Sequence, residues 1–160
     1  MAILVTGGAG YIGSHMAWEL LDRGETVVVL DRLSTGFDWA VPPEATLVVG
    51  DVGDADLLDR TITSHDVDAI IHFAGSIIVP ESVADPLGYY ENNTVKSRAL
   101  IAAAVRNGVK HFIFSSTAAV YGSPTTIPVT EAAATLPDSP YGSSKLMTEM
   151  MLEDVARAHP

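Results

Sequence analysis

The segment Thr6-Gly7-Gly8-Ala9-Gly10-Tyr11-Ile12-Gly13 sets glycines at 7, 10 and 13 between an apolar run and a helical pattern. Each glycine has a chemical use there. Gly7 permits a tight turn. Gly10 lets the backbone approach a pyrophosphate seated on the helix N-terminus. Gly13 lets helix and strand pack closely. Asp31 ends the next apolar run. A carboxylate at that point accepts hydrogen bonds from an adenosine ribose and repels a 2′-phosphate, which favours NAD over NADP. Arg32 beside it pulls the other way, and Asp31 also suits a plain turn opening a loop. Asp51-Val52 follows the third apolar run. Its carboxylate is suited to an adenine amino group, with the valine against the ring. Asp51 or Asp54 is equally suited to capping the next helix. Phe73-Ala74-Gly75 closes the fourth run with small residues, either to lie against a flat cofactor or simply to turn.

A second group lies downstream. In Tyr141-Gly142-Ser143-Ser144-Lys145 the phenol and the ammonium stand at i and i+4, which on a helix is one face. A free tyrosine ionises near pH ~10 and is a poor base at neutrality. A close ammonium favours the phenolate, as does a positive nicotinamide ring. A shift of two to three units needs roughly 3–4 kcal/mol of interaction. By spacing alone the pair also reads as exposed residues or a core tyrosine. Thr117, in Ser115-Ser116-Thr117-Ala118-Ala119-Val120-Tyr121-Gly122, stands at the end of the fifth apolar run, where ligands bind in parallel sheets. Its hydroxyl is suited to a substrate hydroxyl, to passing a proton to Tyr141, or to satisfying loop backbone.

Such groups need strands and helices to hold them. Short apolar, β-branched runs predict buried strands at 2–6, 26–30, 46–49, 68–73 and 111–116. Helical spacing predicts helices at 11–23, with Ile12, Met16 and Leu20 inward, and at 54–64, with Leu57, Leu58 and Ile62 inward. Two longer helices are expected at 82–107 and 139–158, the second with Pro140 in its first turn. Residues 33–43 and 122–140 read as loops. Alternation of strand and helix predicts an α/β, doubly wound parallel sheet with helices on both faces. One domain, 1–160, is expected from the length.

Composition narrows the partners. The 160 residues are 48% hydrophobic and 18% charged, with a net charge of -11. A nucleic-acid partner would need a basic face, which this balance argues against. There is no cysteine, so disulfides, thiolate chemistry and zinc–cysteine sites are excluded. The N-terminus lacks a signal-peptide layout. No apolar run approaches the ~18 residues of a membrane span. A cytoplasmic protein without a membrane partner is the expectation.

Taken together, VTGGAGYIGSH, DRLSTG, GDV, HFAG, PESV, YYENN, FSSTAAVYG, SPYGSSK and LMTEMM make the chain resemble the extended short-chain dehydrogenase/reductase family, on its nucleotide-sugar 4-epimerase branch. The resemblance spans the whole chain. It implies a Rossmann-type domain that keeps NAD bound while UDP-glucose and UDP-galactose interconvert at C4 through a 4-keto sugar. It implies Tyr141 as the base at the 4-hydroxyl. Lys145 would hold the nicotinamide ribose and lower the pKa of Tyr141, and Thr117 would contact the sugar. Tyr11 and Ile12 would contact the pyrophosphate. Asp31, Arg32, Leu33, Ser34, Thr35 and Gly36 would surround the adenosine ribose, with Asp51 and Val52 at the adenine. Phe73, Ala74 and Gly75 would line the cofactor, and Asn92 would anchor a long helix near it. A homodimer through the two long helices is implied as well. Met147, Met150, Met151 and Leu152 suit that contact, or ordinary core.

Three departures matter. Ile77 stands where many such epimerases have a cofactor-contacting lysine, which implies weaker NAD affinity. Ala118 and Ala119 stand where the related dehydratases carry Asp-Glu, and neither transfers a proton, so dehydration is disfavoured. Family members are much longer, and their remaining part supplies the last strands and most of the sugar pocket. An NAD-binding module or fragment without turnover is therefore the rival reading, and N-acetylated, uronic and pentose sugars stay open.

Overall fold

The computed structural model describes residues Met1–His159. Their contacts divide into two compact units, Met1–Gly75 with Ala99–Ser115, and Ser76–Arg98 with the residues from Ser116 on.

The first unit is a five-stranded parallel sheet in the order β3-β2-β1-β4-β5. The strands are β1 (Ala2–Thr6), β2 (Thr26–Asp31), β3 (Thr46–Val49), β4 (Val67–His72) and β5 (His111–Phe114). They are continuous apolar runs because both faces are covered. On one face Leu4, Val28, Leu30 and Ile70 pack with Leu58 and Ile62 of α2 (Ala55–Ser64) and Leu100, Ala103 and Ala104 of α5 (Lys96–Arg106). On the other, Ile3, Val5, Val27, Val29, Ala69 and Ile71 pack with Ala17 of α1 (Tyr11–Asp22). Strand order reverses at β1, between β2 and β4. That crevice at the strand C-termini is where such sheets bind ligands. Thr6 pairs with Leu30 on one side and His72 on the other, so the loops after β1, β2 and β4 leave the sheet level with one another. A buried 2.6 Å bond between Thr6 Oγ1 and His72 Nδ1 ties two of those ends together.

Several expectations are corrected. Ile12 is 60% exposed. Gly13, Ser14 and Ala17 are buried instead, because the close approach at Gly13 leaves no room for a larger side chain inward. The fifth strand ends at Phe114 and not at Ser116. The expected helix 82–107 is a chain of segments in the structure. In order these are α3 (Val79–Ala84), α4 (Pro86–Tyr89), a wide π turn (Tyr90–Val95) and α5. The break falls at Asp85, whose backbone is non-helical and whose side chain accepts from Gly88 N. Pro86 takes the first position of the new helix, where its missing N–H is no loss.

The second unit contains α3, α4, the π turn, a 3-10 turn (Ala118–Tyr121) and α6 (Pro140–Ala158). Ser139 caps α6 by accepting from Gly142 N. Among the described residues no helix is long and apolar enough to cross a membrane.

Candidate active site

The first group of residues lies in the sheet unit. Gly7 leaves β1 with φ +71°. A Cβ there would sit 2.6 Å from the Ala74 nitrogen. A Cβ on Gly13 would strike the Gly7 carbonyl and lie 2.8 Å from Gly8 Cα. The turn is therefore built from glycine because backbone fills the space. The first turn of α1 has no side-chain cap at Gly10 and no acidic residue. Its N–H groups and positive dipole end are left to an anion. Tyr11 is 82% exposed.

Asp31 organises the loops around that turn. One carboxylate oxygen accepts from Ala9 N at 3.0 Å, the other from Leu33 N at 2.8 Å. The second bond holds Leu33 at φ 57°, a left-handed conformation uncommon for a branched residue. Both alternative readings of Asp31 meet here. It makes the loop's turn, and each oxygen keeps a second lone pair for a ribose hydroxyl. Arg32 bonds Ser34 Oγ through Nε at 2.9 Å and pairs with Asp51 at 3.6 Å, so its charge is directed to a carboxylate. Asp51 accepts from Gly53 N, and Asp54 caps α2 by accepting from Leu57 N. The capping role thus falls to Asp54. Val52 packs against the core beneath. A Cβ on Gly36 would lie 2.8 Å from the Ala9 carbonyl, and Phe37 N donates to Ala9 O. Phe73 N donates to Thr6 O at 2.9 Å, which sets Phe73, Ala74 and Gly75 beside the turn. These residues fit a dinucleotide: an uncapped helix N-terminus, a glycine turn with no space for side chains, and a carboxylate one loop away.

The second group lies in the helical unit. Tyr141 is partly exposed, and Lys145, one turn on, is buried. Burial pushes the Lys145 ammonium down to about 8. Ser144 between them is fully buried and is a fixing point. Its hydroxyl donates to Tyr141 O and accepts from Asn93 Nδ2 at 3.1 Å, and its carbonyl accepts from Thr94 and Thr148 hydroxyls at 3.2 Å. Asn93 also grips Ser76, accepting from its N–H at 2.7 Å and donating to its carbonyl at 2.9 Å. The π turn widens the helix so that Asn92 reaches Ser76 too, donating to its hydroxyl at 2.9 Å. Single wide turns of this kind are frequent at functional sites.

The resemblance names Asn92, whereas buried Asn93 makes the larger set of bonds. The neighbouring asparagines in YYENN look alike in sequence, and only the turn decides which points inward. Tyr89 is also buried, donating to Ile78 O at 2.7 Å. Burial raises its phenol above the ordinary tyrosine range, the Ile78 bond acts against this, and Glu81 and Tyr141 add to the rise.

Thr117 is extended, and its Oγ1 accepts from Ala119 N at 3.1 Å. It caps the 3-10 turn and keeps its hydroxyl proton to donate. A cleft lined by Ala118, Tyr121, Gly122, Val129 and Glu131 opens on the same turn. Gly122 has φ 61°, and a Cβ there would run into the Leu136 carbonyl. Among the described residues no group of His, Asp or Glu is placed to hold a metal ion.

Comparison with known proteins gives a consistent result. The family model described as NAD dependent epimerase/dehydratase family matches residues 3–160. A UDP-glucose 4-epimerase of Azospirillum brasilense is 56% identical over 157 residues, covering 98% of this chain and 45% of that protein. A crystal structure of UDP-glucose 4-epimerase from Brucella ovis in complex with NAD superposes with TM-score 0.96 at 44% identity, over 99% of this chain and 48% of the other. A Thermotoga maritima UDP-glucose 4-epimerase structure with UDP-glucose gives 0.94 at 38%, over 98% and 52%. The chain thus spans about half the length of the relatives it matches.

Proposed function

The chain belongs to the NAD dependent epimerase/dehydratase family, and from that premise we propose that it forms the NAD-holding and proton-transferring half of a UDP-hexose 4-epimerase. The chemistry NAD supplies when bound is reversible hydride transfer at C4 of the sugar. The protein's own residues do the rest. The amides at Tyr11 and Ile12 bind the pyrophosphate through the helix N-terminus. Asp31 accepts from the adenosine ribose, and Asp51 with Val52 meets the adenine. Tyr141 accepts the proton of the sugar 4-hydroxyl as a 4-keto sugar forms, then returns it. Lys145 supplies a positive charge on the same helix face and a donor for the nicotinamide ribose. Thr117 donates its free hydroxyl proton to the sugar.

The observation that carries this reading is the α6 face on which Tyr141 and Lys145 stand, fixed at Ser144 by Asn93 and Thr94. The two residues after Thr117 are Ala118 and Ala119, which supports epimerisation over water loss. The test is conversion of UDP-galactose to UDP-glucose by the 160-residue chain with added NAD. Tyr141→Phe is expected to lower kcat by about 10²–10⁴-fold while NAD still binds. Full activity in that variant would remove Tyr141 as base. The second reading is an NAD-binding module without turnover, which the uncapped N-terminus of α1 and the glycine turn support by themselves. NAD binding with no conversion of UDP-galactose would favour it. We further propose a homodimer through the helical unit, supported by exposed Val83, Leu87, Met147 and Met150.

A further inference from the structure

Glu149 lies within the LMTEMM stretch, where the resemblance gives it no role, and it has no part in the proposed chemistry. It follows Tyr141 and Lys145 at successive four-residue steps, so all three stand on one face of α6. Its carboxylate accepts a hydrogen bond from the Ser116 hydroxyl. Ser116 is the residue before Thr117. On the other side of Thr117, the Ala119 carbonyl packs against Gly142, where a Cβ would lie 2.6 Å from that oxygen. Thr117 is therefore bracketed by two attachments to the same helix. One is polar, at Glu149, and the other steric, at Gly142. Between them the Thr117 hydroxyl accepts from Ala119 N, which holds the oxygen in place and leaves its proton to donate.

We propose that Glu149 is a positioning residue: acting through Ser116, it fixes the Thr117 hydroxyl relative to the α6 face that carries Tyr141 and Lys145. The catalytic part of this rests on the epimerase reading above. A carboxylate suits the task because a hydrogen bond to an ionised acceptor is roughly twice as strong as a neutral one. A misplacement of about 1 Å at such a contact is enough to cost up to ~10²-fold in rate.

The test uses the full chain with NAD and two readouts. The first is amide hydrogen exchange at Ala119 and Val120, whose N–H groups bond back to Thr117. Glu149→Ala and Ser116→Ala are each expected to speed exchange there by about tenfold or more. The double variant is expected to be no worse than either single one, since both remove one bond. Glu149→Gln keeps an acceptor and is expected to stay within about threefold of wild type. Wild-type protection at Leu100–Ala104 and Ser143–Thr148 reports that each variant is folded. The second readout is turnover, where Glu149→Ala is expected to lower kcat about tenfold with KM little changed.

Unchanged protection in either single variant overturns the proposal, as does a Glu149→Gln variant that behaves like Glu149→Ala. Lost protection with unchanged kcat overturns the catalytic link. If the wild-type chain converts no UDP-galactose, the epimerase reading fails for this chain. The exchange readout still decides whether Glu149 positions Thr117.

Discussion

Lys145 shows most directly how a side chain's surroundings tune it. An ammonium ordinarily releases its proton near ~10.4, and burial brings Lys145 down to about 8. Below pH 8 both folded and unfolded chains hold the proton, and the folded chain bears the full cost of burying charge. Between about 8 and ~10.4 only the unfolded chain holds it. Unfolding free energy therefore rises with pH across that window. Relative to Lys145→Met, the wild type is expected to gain roughly 2–3 kcal/mol from pH 7.5 to 10.5, read from urea midpoints. A flat difference would show that the ammonium is not buried in the folded chain. The same residue-scale logic explains Asp31. Sequence alone leaves it either a ribose acceptor or a turn residue, and its two bonds to Ala9 N and Leu33 N make it the turn residue without closing the other role.

At the scale of elements, the wide turn Tyr90–Val95 carries the attachment of α6. Asn93 is 2% exposed and satisfies both backbone groups of Ser76. Asn93→Ala would leave those groups and the Ser144 hydroxyl short of partners, and buried unpaired polar groups are expensive. The expected loss is about 2–3 kcal/mol by chemical denaturation. Asn92→Ala removes one partly exposed bond, and its expected loss is about 1 kcal/mol or less. Equal losses would mean that Asn93 does not have the anchoring role described. The turn was not legible in the sequence. Apolar spacing predicts a helix across 82–107, but a π turn differs from an α turn only in which carbonyl each N–H reaches. That choice is made by partners distant in the chain, here Ser76 and Ser144. The helix break was half legible, because Asp85-Pro86 marks a start but not the end of a preceding helix at Ala84.

At the scale of the whole molecule, Val83 at 64%, Leu87 at 78% and Met150 at 57% exposure put apolar side chains in water on three helices of one unit. A second copy of the chain is the occupant proposed above. A dilution series by analytical ultracentrifugation is expected to show dimers that dissociate on dilution, and Leu87→Lys with Met150→Lys is expected to shift the chain to monomer. A monomeric wild type at all concentrations would end that reading. The sequence by itself determined the strand–helix alternation, the parallel sheet and the glycine turn. Those depend on local pattern, since buried strands read as apolar runs and a turn packed against backbone tolerates only glycine. Only the tertiary structure decided that Ile12 faces outward, that Asn93 is the buried member of the asparagine pair, and that Glu149 reaches Ser116. Those depend on which distant backbone groups and side chains meet, and pairings of that kind leave no periodic trace in the order of residues.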